Sequence, residues 1–255
     1  MLPSVGVVVR DSLRLLAVAF GFLTRLPVPR VAVGEGDLTR ASAVFPLVGL
    51  VVAALAVAAD QLVGLVLGPT VGAVVGILTA TLVTGAFHED GLADAVDGLW
   101  GGWEPAERLR IMRDSRLGTY GTIALIALYA LRFALLVPAT ARTFAVAMVC
   151  AHVLGRAAGP MLVMRLPALT DSSSAGIAGR LGPGGRIAAV TLTLMPVVAA
   201  GGLLALPLVV VTSAVVVSSA ALYRRRLGGV TGDTIGATTV LVELAVVAVV
   251  VAAQG

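Results

Sequence analysis

"TVGAVVGILTATLVTGAF", residues 70–87, contains no charged side chain, and directly after it comes "HEDGLADAVDGLW", residues 88–100, with four acids and a histidine. A helix needs about 20 mostly apolar residues to cross a bilayer, so the first stretch predicts a membrane helix. Carboxylates are costly in lipid. The second stretch therefore predicts where the chain leaves the membrane and gathers polar groups at its surface.

Composition extends this prediction to the whole chain. The 255 residues are 58% hydrophobic and 13% charged, with a mean hydropathy of +1.03. These values predict an all-α, polytopic membrane helical bundle. The net charge is +4, and since arginines of a membrane protein mainly fix its orientation, we expect no nucleic-acid partner. Cys150 is the one cysteine, so there is no disulfide framework and no thiolate metal site.

About seven segments are long and apolar enough to span the bilayer, and together they form one integral membrane domain over residues 1–255. The predicted spans are residues 43–67, 71–87, 119–137, 143–163, 187–203, 208–223 and 234–253. An eighth apolar stretch, residues 4–24, contains three charges near its middle, which predicts an N-terminal interfacial helix.

The arginines predict orientation, because short cytoplasmic loops carry the basic excess. With the N-terminal region inside, seven spans leave 15 of the 18 basic residues in that region and the cytoplasmic connections. Three of those connections contain the polar clusters. We therefore expect cytoplasmic catalytic loops at about residues 88–118, 164–186 and 224–233.

The acids after the second predicted span are arranged for a metal ion. If residues 89–99 are helical, Asp90, Asp94 and Asp97 stand at i, i+4 and i+7 and share one face. Like charges at these spacings repel, and a divalent cation with hard oxygen ligands, such as Mg²⁺, removes the penalty. Small neighbours, Gly91, Ala93, Ala95 and Gly98, predict that a large ligand can approach the backbone. The alternative is a solvated acidic loop.

A second motif, "RLRIMRDSRLGTYG" at residues 108–121, predicts phosphate binding. Arg110, Arg113 and Arg116 recur every three residues beside Asp114 and Ser115. Arginine is suited to bidentate contact with phosphate oxygens. The alternative is that these arginines only mark a cytoplasmic loop.

A third motif, "RRRLGGVTGDTIGA" at residues 224–237, puts Thr231 and Asp233 in a glycine-rich turn before the last span. A helix start of this kind suits an anion, although the arginines alone fit a stop-transfer signal. Further along, Glu243 lies near mid-membrane, and we expect it to face Arg132 or Arg156 inside the bundle.

These motifs, together with "FLTRLPVP" at 22–29 and "FPLVGLVV" at 45–52, resemble the cobalamin synthase family. The resemblance runs over nearly the whole chain, although residues 138–200 match mainly by hydrophobicity. It implies a Mg²⁺-dependent enzyme of the prokaryotic plasma (inner) membrane. Such an enzyme joins adenosylcobinamide-GDP to α-ribazole, or its 5′-phosphate, with release of GMP. A ribose hydroxyl attacks the pyrophosphate.

Expected roles follow from the motifs and the resemblance together. The metal ligands are Glu89, Asp90, Asp94 and Asp97. The catalytic residues are His88, Asp90, Asp94 and Asp97, and the proton acceptor is either His88 or one of the carboxylates. The substrate-binding residues are Arg110, Arg113, Asp114, Ser115, Arg116, Thr231 and Asp233.

Two other classes stay open at this point. CDP-alcohol phosphotransferases also carry aspartates at a membrane boundary, but the AR that their signature requires after Gly98 is missing. A secondary transporter places its functional carboxylates within spans. Here only Asp60 and Glu243 are so placed.

Overall fold

The computed structural model describes residues 5–169 and 181–254, and helices dominate these ranges. The helices are α1 (Val5–Leu23), α2 (Asp37–Ala41), α3 (Phe45–Leu67), α4 (Pro69–Thr84), α5 (Phe87–Gly101), α6 (Pro105–Met112), α7 (Thr119–Leu136), α8 (Ala141–Val163), α9 (Pro183–Gly201), α10 (Ala205–Arg226) and α11 (Gly232–Gln254). Within the described residues no strand forms, and one isolated backbone bridge pairs Ala168 with Val230.

Each of the seven predicted spans is mainly helical, which confirms a helical membrane bundle. Five segments of the described chain are long and apolar enough to cross a bilayer: Asp37–Leu67, Thr119–Leu136, Ala141–Val163, Pro183–Arg226 and Gly232–Gln254. The number becomes six if α4 and α5 count together as one broken span. Seven crossings therefore stay a prediction. The count hinges on α4 and on the long segment that contains α9 and α10.

A sharp corner separates α4 from α5 and sets the direction of the acidic stretch. Gly85 (φ 66°) and Ala86 (φ 57°) both adopt the left-handed conformation. Such a conformation is easy for glycine and costs an alanine about 1–2 kcal/mol. The two helices consequently diverge by 82°. The predicted span 71–87 is wrong at its end, because α4 stops at Thr84 and rises only about 24 Å.

The predicted loop 88–118 is largely helical. It contains most of α5, which confirms the predicted helix over 89–99, and all of α6. Helix α5 turns away from α4 and carries four acids, and its expected position outside the bilayer stays a prediction. Of the predicted loop 164–186, residues 170–180 lie outside the described residues.

The interior of the bundle is formed mainly by α3, α4, α8 and α11, which pack closely on one another. Among the five long apolar segments, Ala141–Val163 is the most enclosed and Pro183–Arg226 the most exposed. The exposed segment is interrupted at Gly202 (φ 56°), and both of its helices contact α8. Both halves of this segment therefore pack on the outside of the bundle.

Ion pairs join the N-terminal helix α1 to α2, at the start of the α2–α3 segment. Arg14 donates two hydrogen bonds to the carboxylate of Asp37, at 2.7 and 2.6 Å. Arg40 pairs with Asp11. Helix α1 is not among the five long apolar segments, and its predicted interfacial position stays a prediction.

Candidate active site

Three sequence motifs that are far apart along the chain meet at one end of the bundle. Helix α5 packs against the start of α11 and against α6 and α7. At Gly91, a side-chain carbon would lie 3.0 Å from the carbonyl oxygen of Asp233, so the two backbones nearly touch. The small residues of α5 thus serve helix packing. The expectation that they leave room for a large ligand is wrong at Gly91 and at Gly98, which lies against Met112.

The contact between α5 and α11 brings together the carboxylates of Asp90, Asp94 and Asp233. Asp90 is exposed, whereas Asp94 and Asp233 are half-buried. Partial burial raises the pKa of Asp94 to about 7, with further contributions from the negative charges of Asp90, Asp233 and Asp97. Within residues 5–169 and 181–254, no basic group is close enough to Asp94 to neutralise this negative charge.

The acidic cluster offers the hard oxygen donors that a Mg²⁺ site uses. In residues 5–169 and 181–254, no group of three or more His, Cys, Asp or Glu side chains is placed to hold a metal ion by itself. Mg²⁺, however, is usually held by one or two carboxylates, several waters and substrate phosphates. Hard oxygen donors with unbalanced charge fit that requirement. The cluster can accept Mg²⁺ together with a phosphate ligand.

Asp97 is engaged elsewhere in the site. Its carboxylate is buried and accepts backbone N–H bonds from Gly118 (2.8 Å) and Gly121 (2.9 Å). These donors belong to the start of α7, whose first N–H groups lack partners within the helix. Asp97 therefore ties the acidic motif to the arginine motif.

Glu89 points into the bundle and joins a buried charge network. Its Oε1 accepts a hydrogen bond from Arg132 at 2.9 Å, and Arg132 also donates to Glu243 at 2.6 Å. Glu243 further contacts His152 at 2.9 Å and pairs with Arg156. The prediction that Glu243 faces Arg132 or Arg156 is confirmed for both.

The arginine motif forms α6 and an exposed turn. Arg110, Arg113, Ser115 and Arg116 are exposed. Arg116 pairs with Asp114 at 2.6 Å, and this hydrogen bonding lowers the pKa of Asp114 to about 2. Arg113 lies close enough to Asp233 to interact electrostatically. The structure thus brings Arg113 to the acidic cluster, while Asp114 and Arg116 satisfy one another.

Thr231 caps the last helix. Its backbone N–H donates to Oγ1 of Thr234 (2.8 Å), and the N–H of Thr234 donates to Oγ1 of Thr231 (3.2 Å). This reciprocal cap satisfies donors at the start of α11. Thr231 is only 3% exposed. Its hydroxyl also donates weakly to Asp233 at 3.4 Å, so Thr231 positions that carboxylate.

His88 is buried and faces away from the aspartates. At 100° per residue, it lies about 160° from Asp90 and about 180° from Asp97 around α5. Its ring packs edge to face on Phe87, with centroids 5.3 Å apart. The structure therefore does not bring His88 together with the expected catalytic carboxylates.

Residues 15–251 match the cobalamin-5-phosphate synthase family. The chain belongs to this family. Similar proteins named adenosylcobinamide-GDP ribazoletransferase include that of Shewanella pealeana, 35% identical over 89% of this chain and 91% of its own length. The Shewanella oneidensis protein is 36% identical over 90% of each chain. That of Ralstonia pickettii is 36% identical over 92% of this chain and 94% of its own. No solved structure matches.

The family match includes every motif on which the resemblance rests, from "FLTRLPVP" to "GGVTGDTIGA". In this member of the cobalamin-5-phosphate synthase family, the acidic, arginine and glycine-rich motifs lie together at one end of the bundle. The predicted family membership is confirmed, and so is the enzyme class that it implies.

Sequence reasoning missed one residue that holds this site together. Arg108 is buried, and it donates to the carbonyl oxygens of Gly102 (3.0 Å) and Arg226 (2.8 Å). It therefore joins α6 to the end of α10. Its position at the start of an arginine-rich motif gave no signal of burial, because exposed and buried arginines look alike in sequence.

Proposed function

We propose that this chain joins adenosylcobinamide-GDP to α-ribazole, or α-ribazole 5′-phosphate, to give adenosylcobalamin, or its 5′-phosphate, and GMP. Family membership and the names of the relatives support this proposal. Within the structure, the observation that carries it is the meeting of Asp90, Asp94 and Asp233 beside Arg113. Clustered carboxylates and an arginine suit a metal-bound pyrophosphate.

Of the four expected metal ligands, Asp90 and Asp94 carry the proposed Mg²⁺, and Asp233 completes the cluster. Glu89 and Asp97 have structural partners, Arg132 and the start of α7. Bound Mg²⁺ supplies neutralisation of the charge on the pyrophosphate oxygens. The protein contributes the fixed positions of the carboxylates.

The remaining roles follow from exposure and distance. Arg113 contacts the pyrophosphate, and Arg110, exposed on the same motif, completes its binding, whereas Arg116 is paired with Asp114. The proton of the attacking hydroxyl goes to a carboxylate. A carboxylate of the cluster suits this step, whereas His88 faces away from the cluster.

The proposed active site opens to the cytoplasm. The arginine distribution supports this orientation, because 15 of the 18 basic residues lie on the same side as the three motifs in the seven-span arrangement. Both proposed substrates carry polar groups that reach the site from water. The bilayer holds the helices that position the carboxylates.

The test is formation of GMP by protein purified in detergent and supplied with adenosylcobinamide-GDP, α-ribazole and Mg²⁺. We expect Asp94→Asn to lower the rate about 100-fold or more, because it removes a metal-binding charge. Glu104→Gln is the matched control, since Glu104 is an exposed acid outside the cluster, and we expect full activity. Both variants should insert into the membrane normally.

Two results contradict the proposal. If folded wild-type protein forms no GMP, the reaction is wrong. If Asp94→Asn keeps normal turnover, Asp94 leaves the metal site. The same assay with a CDP-alcohol donor, with release of CMP measured, addresses the alternative phosphotransferase reaction.

A further inference from the structure

A narrow cavity lies on the other side of α5 from the aspartates. It is bounded by the end of α1, the starts of α3 and α5, the end of α8 and the start of α11. Its walls include Phe22, Phe45, Phe87, His88, Arg156 and Ile235. The lining is mainly aromatic and aliphatic, with two basic side chains.

The aromatic rings form a continuous set around this space. Phe22 stacks on Phe45 with centroids 6.0 Å apart, and it meets Phe87 edge to face at 5.4 Å. Phe87 in turn meets the ring of His88. Aromatic pairs of these two kinds are attractive, and a flat ring can insert among them by the same contacts.

His88 is a polar wall residue whose ring is hydrogen-bonded to no residue that the structure describes. His88 is only 5% exposed. A neutral imidazole carries one donor and one acceptor, and a buried polar group left unpaired is unfavourable. The Nε atom of Arg156, another wall residue, is also buried without a partner. A buried donor without a partner, Nε of Arg156, lies beside the His88 ring in an aromatic cavity, and together they indicate a ligand with a hydrogen-bonding atom.

We propose that this cavity binds the aromatic base of the nucleoside substrate, with a ring nitrogen of the base hydrogen-bonded to His88. The inference rests on the proposed function and names its base subsite. α-Ribazole fits the chemistry of the walls, because its base is a flat, apolar bicycle with one unsubstituted ring nitrogen as acceptor.

The position of the cavity suits the geometry of such a nucleoside. His88 precedes Asp94 by about 9 Å along α5. On α11, wall residues Gly232 and Gly236 flank Asp233. A base in the cavity thus directs its ribose around α5 toward the carboxylates that serve the attacking hydroxyl.

Binding requires the cavity to widen. The space open to water measures about 40 Å³, which holds about three water molecules. Phe87 is 39% exposed, so its side chain has room to turn outward when a ring enters. Side-chain changes of this size are common on binding.

The preference between two bases tests the proposal, because a loss of folded protein lowers activity with both bases equally and leaves their ratio unchanged. The experiment compares kcat/KM for α-ribazole with kcat/KM for the riboside of benzimidazole, which lacks the two methyl groups. In Phe22→Ala, we expect the wild-type preference for α-ribazole to change about tenfold, because a wall that contacts the base is gone. The matched control is Phe20→Ala, a similarly half-buried residue of the same helix outside the cavity, with unchanged preference.

A second variant tests the hydrogen bond. We expect His88→Ala to raise KM for α-ribazole about tenfold and to leave KM for adenosylcobinamide-GDP unchanged. Equal changes in both KM values, or unchanged base preference in Phe22→Ala, overturn the base subsite. If wild-type protein forms no GMP, the proposed function fails separately. Equilibrium dialysis then measures the binding of α-ribazole to wild type and to Phe22→Ala without any need for turnover. Equal binding by both proteins overturns the base subsite.

Discussion

Asp97 illustrates how a carboxylate can serve a catalytic site without holding a metal. Both of its oxygens accept backbone N–H bonds, from Gly118 and Gly121, and the side chain is 7% exposed. A carboxylate is well suited to the positive end of a helix. By fixing the start of α7 to α5, Asp97 holds the arginine turn beside the aspartate cluster.

Asp97→Asn separates this structural role from metal binding. The amide keeps the shape of the side chain but replaces one acceptor by a donor, which opposes a backbone N–H. We expect the free energy of unfolding to fall by about 1–3 kcal/mol, measured by thermal and denaturant unfolding in detergent. The Mg²⁺ concentration for half-maximal GMP formation should stay within twofold of wild type.

The control for that experiment is the Mg²⁺ requirement of Asp94→Asn, compared with that of Asp97→Asn. Where residual turnover permits, Asp94→Asn should require more Mg²⁺ than wild type. The reason is that no basic group of the described structure pairs with Asp94, so its charge is free to bind the metal. If Asp97→Asn raises the Mg²⁺ requirement as strongly, Asp97 is a metal ligand after all.

At the scale of helices, the sequence was sufficient for some features and insufficient for others. Hydrophobic runs predicted where the long helices lie, and the i, i+4, i+7 spacing predicted that α5 is a helix. The corner at Gly85 and Ala86 was missed, since alanine rarely adopts the left-handed conformation. The partners of Glu89 and Asp97 were also missed, because Arg132 and Gly118 lie far along the chain and no local pattern encodes such contacts.

The buried charge network joins four helices, and its strength is open to measurement. Arg132 sits between Glu89 of α5 and Glu243 of α11. We expect Arg132→Met to lower the free energy of unfolding by about 3–5 kcal/mol, because it leaves two buried carboxylates with fewer partners. The double variant Arg132→Met/Glu89→Gln should recover part of that loss, since Glu243 keeps His152 and Arg156.

Unfolding in detergent measures these differences for each single variant and for the pair. Arg142→Met is the matched control, because Arg142 is exposed, and we expect a change below about 0.5 kcal/mol. Purely additive losses in the double variant contradict a direct coupling between Arg132 and Glu89.

At the scale of the whole molecule, the site exists only when the bundle is assembled. Its acids come from α5 and α11, its arginines from α6 and the turn before α7, and its supports from α8 and α10. Each element packs on at least one of the others at the same end of the bundle. The opposite end contributes none of these groups, so the direction in which the bundle sits in the membrane decides which compartment the site meets.

The segment Pro183–Arg226 decides the number of crossings and can be tested by labelling. Its 44 residues span about 66 Å as one straight helix, about twice the thickness of the hydrocarbon core. The interruption at Gly202 and the packing of both halves on α8 favour two crossings.

Single cysteines in place of the exposed residues Arg186, Leu203 and Arg225 report the side of the membrane on which each lies, and the buried native Cys150 gives no background. We expect an impermeant thiol reagent on intact cells to label Leu203→Cys, and to label Arg186→Cys and Arg225→Cys only after the cells are opened. Labelling of Arg186→Cys and Arg225→Cys from opposite sides contradicts two crossings by this segment. The protein then has one crossing fewer than the seven predicted, because residues 224–233 are cytoplasmic only if the segment crosses twice.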